Sequence, residues 1–129
     1  MGGRILLVED EANIVEALGF ILSRDGWEVR GHGNGNSALD EIARLKPDMV
    51  VLDVMLPGRS GLDILRDLRG APDTADLPVL MLTAKGQSRD RDLAMSLGAD
   101  AFLTKPFSNA ELVATVRDLS ARIGASGGR

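Results

Sequence analysis

The stretch Pro47-Asp48-Met49-Val50-Val51-Leu52-Asp53 sets the reading of the fold. Its four consecutive apolar residues, bounded by Pro-Asp and Asp, suit a strand buried on both faces of a parallel sheet. Three runs of the same form lie elsewhere: Ile5-Leu6-Leu7-Val8, Val79-Leu80-Met81-Leu82 and the shorter Ala101-Phe102-Leu103. A fifth, Trp27-Glu28-Val29-Arg30, alternates apolar and charged residues and reads as a half-exposed edge strand.

Between these runs the apolar spacing changes to that of helices. Ile14, Leu18 and Ile21 recur at i, i+4, i+7 and stop at Gly26, and Ala38, Ile42 and Leu45 repeat the spacing before Pro47. Ile64, Leu65 and Leu68 form a short stripe after Gly61, and Ser88–Leu97 is the least apolar helix of the set. Leu112, Val116, Leu119 and Ile123 make the last stripe, opened by Ser108 and Glu111 in the S-x-x-E pattern of a capping box. Gly70–Leu77, with Pro72 and Asp73, reads as a surface loop. Strand then helix, five times over, predicts a single doubly wound (βα)5 α/β domain with right-handed crossovers. That domain spans residues 1–123, and 124–129 read as a flexible tail or linker stub.

Composition narrows the function. At 129 residues the chain fits one domain, and 15 Lys+Arg against 19 Asp+Glu leave a net charge of −4. That balance argues against direct nucleic-acid binding, which calls for a basic face. No apolar run reaches the roughly 20 residues of a membrane helix. The short apolar stretch after Met1 does not make a signal peptide. Leu6 breaks a myristoylation motif, and the absence of cysteine removes disulfide and thiol chemistry. The expectation is an acidic cytoplasmic domain.

Ligands of open α/β sheets bind beyond the carboxyl ends of the strands. There the chain places Glu9-Asp10-Glu11 after the first strand, Asp53 after the third, Thr83 after the fourth and Lys105-Pro106 after the fifth. Glu9, Asp10 and Asp53 need a countercharge, because adjacent carboxylates raise one another's pKa. Mg2+ suits such a set of oxygen ligands. Asp53 is then a candidate nucleophile for an aspartyl phosphate, with Lys105 and Thr83 meeting the transferred oxygens. A flavin carrier of this fold would need a Gly/Ser/Thr phosphate loop where Glu9-Asp10-Glu11 stands. An aspartyl phosphatase would place a second Asp at position 55, which is Met.

With these residues in place, the sequence resembles the response-regulator receiver domains of two-component signalling. The resemblance rests on Leu6-Leu7-Val8-Glu9-Asp10-Glu11, Pro47–Asp53, Met55-Leu56-Pro57-Gly58-Arg59-Ser60-Gly61, Leu82-Thr83-Ala84, Gly98-Ala99-Asp100 and Leu103-Thr104-Lys105-Pro106-Phe107. It implies a flavodoxin-like sheet of order 2-1-3-4-5, which the chemotaxis regulators of this family share. It also implies that Asp53 takes a phosphoryl group from a sensor histidine kinase or phosphotransfer protein. Asp10 and Asp53 would ligate Mg2+, with Glu9 acting through water and Met55 through its backbone carbonyl. Lys105 and Thr83 would contact the phosphoryl oxygens, and the peptide bond before Pro106 would be cis. Phe102 takes the place of the family's switch aromatic, next to a surface of the Ser88–Leu97 helix, the fifth strand and the last helix that would act on a downstream protein or output domain.

The resemblance further implies catalysis of the domain's own phosphorylation and dephosphorylation only, not enzymatic turnover. Met55 and Lys85 stand where family members tune phosphoryl lifetime, and an apolar Met55 predicts slow hydrolysis. Arg91, Asp100, Glu111 and Arg117 match charges that pair across a dimer, whereas Ala101 and Thr115 do not, which leaves monomer and phosphorylation-promoted homodimer both open. A receiver-like interaction module that works without phosphorylation is the alternative function. His32 and Trp27 read as non-functional, with His32 exposed beyond the edge strand and Trp27 packed at the sheet edge.

Overall fold

Five strand–helix units follow one another along the chain, in a computed structural model that describes residues 3–84 and 88–125. They are β1 (Arg4–Val8), α1 (Ala12–Arg24), β2 (Glu28–His32), α2 (Ala38–Leu45), β3 (Met49–Asp53), α3 (Gly61–Gly70), β4 (Val79–Ala84), α4 (Ser88–Ser96), β5 (Ala101–Lys105) and α5 (Asn109–Ala125). A short 3-10 turn, Gly35–Ser37, leads into α2. All strand pairs are parallel and the sheet order is β2-β1-β3-β4-β5. The order reverses around β1, so the carboxyl ends of β1 and β3 meet at the crevice where such sheets take ligands.

The unbroken apolar runs are explained by two cores, one on each sheet face. Leu6, Val8, Val50, Leu52 and Met81 point to the side covered by Ile42 of α2, Ile64, Leu65 and Leu68 of α3 and Ala94 of α4. Ile5, Leu7, Met49, Val51, Leu80 and Leu82 point to Leu18 and Leu22 of α1 and Leu112, Val116 and Leu119 of α5. Successive residues of a strand face opposite ways, so a strand covered on both faces must be apolar throughout. Each fully buried aliphatic side chain contributes about 1.5–3 kcal/mol.

Local signals close the helices. Ser60 Oγ accepts from Leu62 N–H at 3.0 Å to cap α3. Ser108 Oγ accepts from Glu111 N–H at 3.0 Å while Glu111 Oε1 accepts from Ser108 N–H at 2.9 Å, the reciprocal capping box before α5. α4 buries only Ala94 and leaves Leu93 and Met95 exposed, in keeping with its weak stripe.

Three boundaries differ from the periodicity reading. The edge strand starts one residue later and ends at His32, because β1 pairs with it in register through Val8↔His32. His32 is accordingly half-buried rather than exposed, with Nε2 2.7 Å from Ser37 Oγ. Trp27 leaves the strand and turns its ring into the α1/α5 core. At the far end α5 continues through Ala125, two residues into the expected tail, since neither Gly124 nor Ala125 is a strict helix stop. Residues 126–129, the Ile123 side chain and Lys85 lie outside the described residues.

Candidate functional site

The carboxyl ends of β1, β3, β4 and β5 converge on one patch. Asp53 and Lys105 are the last residues of β3 and β5, Thr83 lies one residue before the end of β4, and Glu9-Asp10 follow β1. Glu9, Asp53 and Thr83 are buried at 1%, 3% and 1% exposure, while Asp10 faces solvent. One carboxylate oxygen from each of Glu9, Asp10 and Asp53 lies within 4.8 Å of the others.

The Lys105 ammonium sits among these acids. Its Nζ donates to Asp53 Oδ2 at 2.9 Å and to Glu9 Oε1 at 3.0 Å, and Glu11 Oε1 lies 3.9 Å away. Backbone donors hold the remaining oxygens: Met55 N–H reaches Asp53 Oδ1 at 3.1 Å, and Glu11 N–H reaches Glu9 Oε2 at 3.1 Å. Burial, reinforced by the neighbouring Asp53, pushes the Glu9 carboxyl up to about 6 against the opposing bonds from Glu11 N–H and Lys105. Burial pulls the Lys105 ammonium down, but its bonds to Asp53 and Glu9 outweigh that and hold it above its ordinary value.

This donor set fits a hard divalent cation. It offers three clustered carboxylates, one of them a Glu9 that burial makes costly to ionise, and a single ammonium occupying the place of a countercharge. Asp53 meanwhile presents one oxygen to Lys105 and the other to a backbone N–H, so its carboxylate is held in one orientation.

Thr83 is held loosely by comparison. Its Oγ1 is 3.4 Å from both the Leu103 carbonyl and Thr104 Oγ1, at the outer limit of hydrogen bonding. Phe102 is half-buried on β5, and the Arg91 guanidinium from α4 lies 4.7 Å from its ring centroid. A cavity of about 420 Å3 runs beside Phe102, Thr104, Lys105 and Glu111. The Lys105–Pro106 bond is cis.

The four charges expected at a dimer face all make contacts within the chain. Arg91 covers Phe102, and Glu111 closes the capping box. Asp100 Oδ2 accepts from Arg69 Nη2 at 2.9 Å and from Val79 N–H at 2.8 Å. Arg117 of α5 pairs with Asp25 at the end of α1, its Nε 3.1 Å from Asp25 Oδ2.

Sequence reasoning missed one residue of the site. A Cβ on Gly61 would stand 2.1 Å from the Asp53 carbonyl oxygen, so the start of α3 packs directly on the backbone of the central acid. Gly61 N–H also donates to the Val54 carbonyl at 2.9 Å. The signal was present in the Gly58…Gly61 spacing, but a close approach between backbones is visible only in three dimensions.

Fold and site together define a doubly wound α/β domain with an acidic cluster at the carboxyl ends of its central strands. Residues 5–117 match the model of the response regulator receiver domain, and the chain belongs to that family. It is 42% identical over 123 residues to the phosphate regulon transcriptional regulatory protein PhoB of Escherichia coli (strain K12), covering 95% of this chain and 54% of that protein. The chain thus spans about half the length of the curated relatives it matches. Among solved structures, the receiver domain of a signal transduction histidine kinase from Syntrophus aciditrophicus superposes with a TM-score of 0.87 at 34% identity, covering 94% of this chain and 92% of that one. The BeF3-activated N-terminal receiver domain of Klebsiella pneumoniae RstA gives 0.82 at 33% identity, covering 88% and 95%. No helix among the described residues is long and apolar enough to cross a membrane.

Proposed function

We propose that Asp53 accepts a phosphoryl group, with Mg2+, from a histidine kinase or phosphotransfer protein. The observation that carries this is the convergence of Glu9, Asp10 and Asp53 on one point with Lys105 bonded between two of them. Asp10, Asp53, the Met55 carbonyl and, through water, Glu9 would hold the metal, which neutralises charge on the carboxylate and on the phosphoryl oxygens. Asp53 Oδ2, now bonded to Lys105, is the attacking oxygen. As it forms its bond to phosphorus, the P–N bond to the donor's phosphohistidine breaks and its electron pair returns to the imidazole. Lys105 meanwhile turns its donors to the transferred oxygens and stabilises the charge there.

The phosphoryl group adds about −1.5 to −2 charges and three strong acceptors to Asp53. Thr83, weakly held in the free protein, is the hydroxyl free to turn toward them. Its movement leaves room for Phe102 to swing inward from under Arg91, which alters the α4-β5-α5 surface. That surface would signal to a downstream protein or an attached output domain, from a cytoplasmic location, as a monomer or as a phosphorylation-promoted homodimer. The domain itself would catalyse only its own phosphorylation and dephosphorylation.

Intact-mass spectrometry after incubation with Mg2+ and acetyl phosphate tests the reading. One phosphoryl mass should appear on the wild type and none on Asp53→Asn. No adduct together with no Mg2+ binding would favour an interaction module that works without phosphorylation.

A further inference from the structure

With no cysteine in the chain, its five methionines carry all of its sulfur. Met49 and Met81 are wholly buried in the sheet, Met95 is 42% exposed on α4, and Met55 is 67% exposed. Exposed thioethers are soft and oxidisable, whereas those packed in a core are shielded. The most exposed described thioether also belongs to the residue whose backbone N–H is bonded to Asp53 Oδ1. A chemical change at Met55 therefore occurs on the residue whose backbone holds the Asp53 carboxylate.

We infer that Met55 is an oxidation site for hydroperoxides and that its oxidation shortens the life of a phosphoryl group on Asp53. The second half rests on the phosphoacceptor reading above. In the step itself, the Met55 sulfur attacks one oxygen of hydrogen peroxide, and an S–O bond forms as the O–O bond breaks. The displaced hydroxide takes the proton of the transferred oxygen and leaves as water. The sulfur loses two electrons, which the peroxide gains, and the product is the sulfoxide.

The consequence follows from polarity. A thioether is a weak hydrogen-bond acceptor and leaves nearby water unoriented. The sulfoxide is polar and offers a strong acceptor oxygen in the same place. Water anchored there stands beside the acyl phosphate and is positioned to attack it. Methionine sulfoxide reductases return the thioether, so the effect is reversible.

The test treats the whole chain with graded hydrogen peroxide and maps each methionine by peptide mass. Of the four described methionines, Met55 should form sulfoxide first, followed by Met95, with Met49 and Met81 protected. Oxidation of Met55 no faster than that of the buried pair would overturn the assignment. Oxidised and untreated protein are then phosphorylated with acetyl phosphate and Mg2+, and loss of the phosphoryl mass is timed. Decay should be several-fold faster after oxidation and should recover on treatment with reductases for both sulfoxide epimers. Met55→Leu should abolish the peroxide effect and Met95→Leu should retain it. Equal decay before and after oxidation, or an effect that survives in Met55→Leu, would overturn the consequence alone. Failure of untreated protein to accept a phosphoryl group would overturn the phosphoacceptor reading and this consequence with it, while the oxidation order would stand on its own measurement.

Discussion

The guanidinium of Arg91 lies 4.7 Å from the centroid of the Phe102 ring, tying α4 to the strand that ends in Lys105. Because α4 buries only Ala94, this contact adds to a thin apolar seam between the helix and β5. A cation–π contact of this kind is worth about 0.5–1 kcal/mol at an exposed site. Arg91→Ala should therefore shift the balance of Phe102 ring positions by about two- to fivefold. The amide shifts of Phe102 and residues 88–96 should move part of the way toward their phosphorylated positions. Unchanged shifts would show that Arg91 does not restrain the ring.

Lys105 supplies the ion pairs of the two buried carboxylates among the described residues. Lys105→Met leaves Glu9 and Asp53 uncompensated, and removing one partner of a buried pair costs about 3 kcal/mol. Urea denaturation without metal should show a loss of that order at neutral pH. Added Mg2+ should recover more stability in the variant than it adds to the wild type, because it replaces the missing cation.

Glu9 gives the site its pH dependence. Its folded pKa of about 6 lies above the ordinary 4.5, so between those values the folded state binds more protons than the unfolded chain. Metal-free stability should therefore fall as pH rises through this window, the reverse of the usual carboxylate trend. Mg2+ competes with that proton, so its affinity should weaken as pH drops below about 6. Calorimetric titration of Mg2+ at pH 5 and pH 7.5 checks the sign, and equal affinities would contradict it.

Arg69 organises the opposite end of the sheet. It donates to the carbonyls of Gly98 at 2.9 Å, Leu77 at 2.7 Å and Thr74 at 3.3 Å, and to Asp100 Oδ2 at 2.9 Å. Its side chain is 18% exposed, and Arg69→Ala would leave several partly buried acceptors unpaired. A loss of about 2–4 kcal/mol is expected in chemical denaturation, with faster amide exchange in residues 71–78.

Met55→Asn should speed loss of a phosphoryl group from Asp53 several-fold, since an amide beside the site can orient the attacking water and a thioether cannot. The decay of the phosphorylated mass after removal of acetyl phosphate measures this directly. An unchanged rate would show that position 55 does not limit access of water.

The sheet, its two-sided burial and the identity of the acidic site were legible in the chain itself. Runs such as Met49–Leu52 are apolar at every position only when helices cover both faces, and the residues that follow such runs must emerge at the same edge. The capping box of Ser108 and Glu111 was equally local, because its two bonds span three residues. The tertiary structure decided what depends on distance between remote residues. Periodicity says nothing of a partner 96 positions away, so only the folded chain shows Lys105 reaching Glu9 as well as Asp53. It likewise shows Arg117 meeting Asp25 and Asp100 meeting Arg69 within the chain, pairings across 92 and 31 positions that no local pattern encodes. Hydrophobic period is a property of one segment, whereas an ion pair belongs to whichever opposite charge the packed core brings within reach.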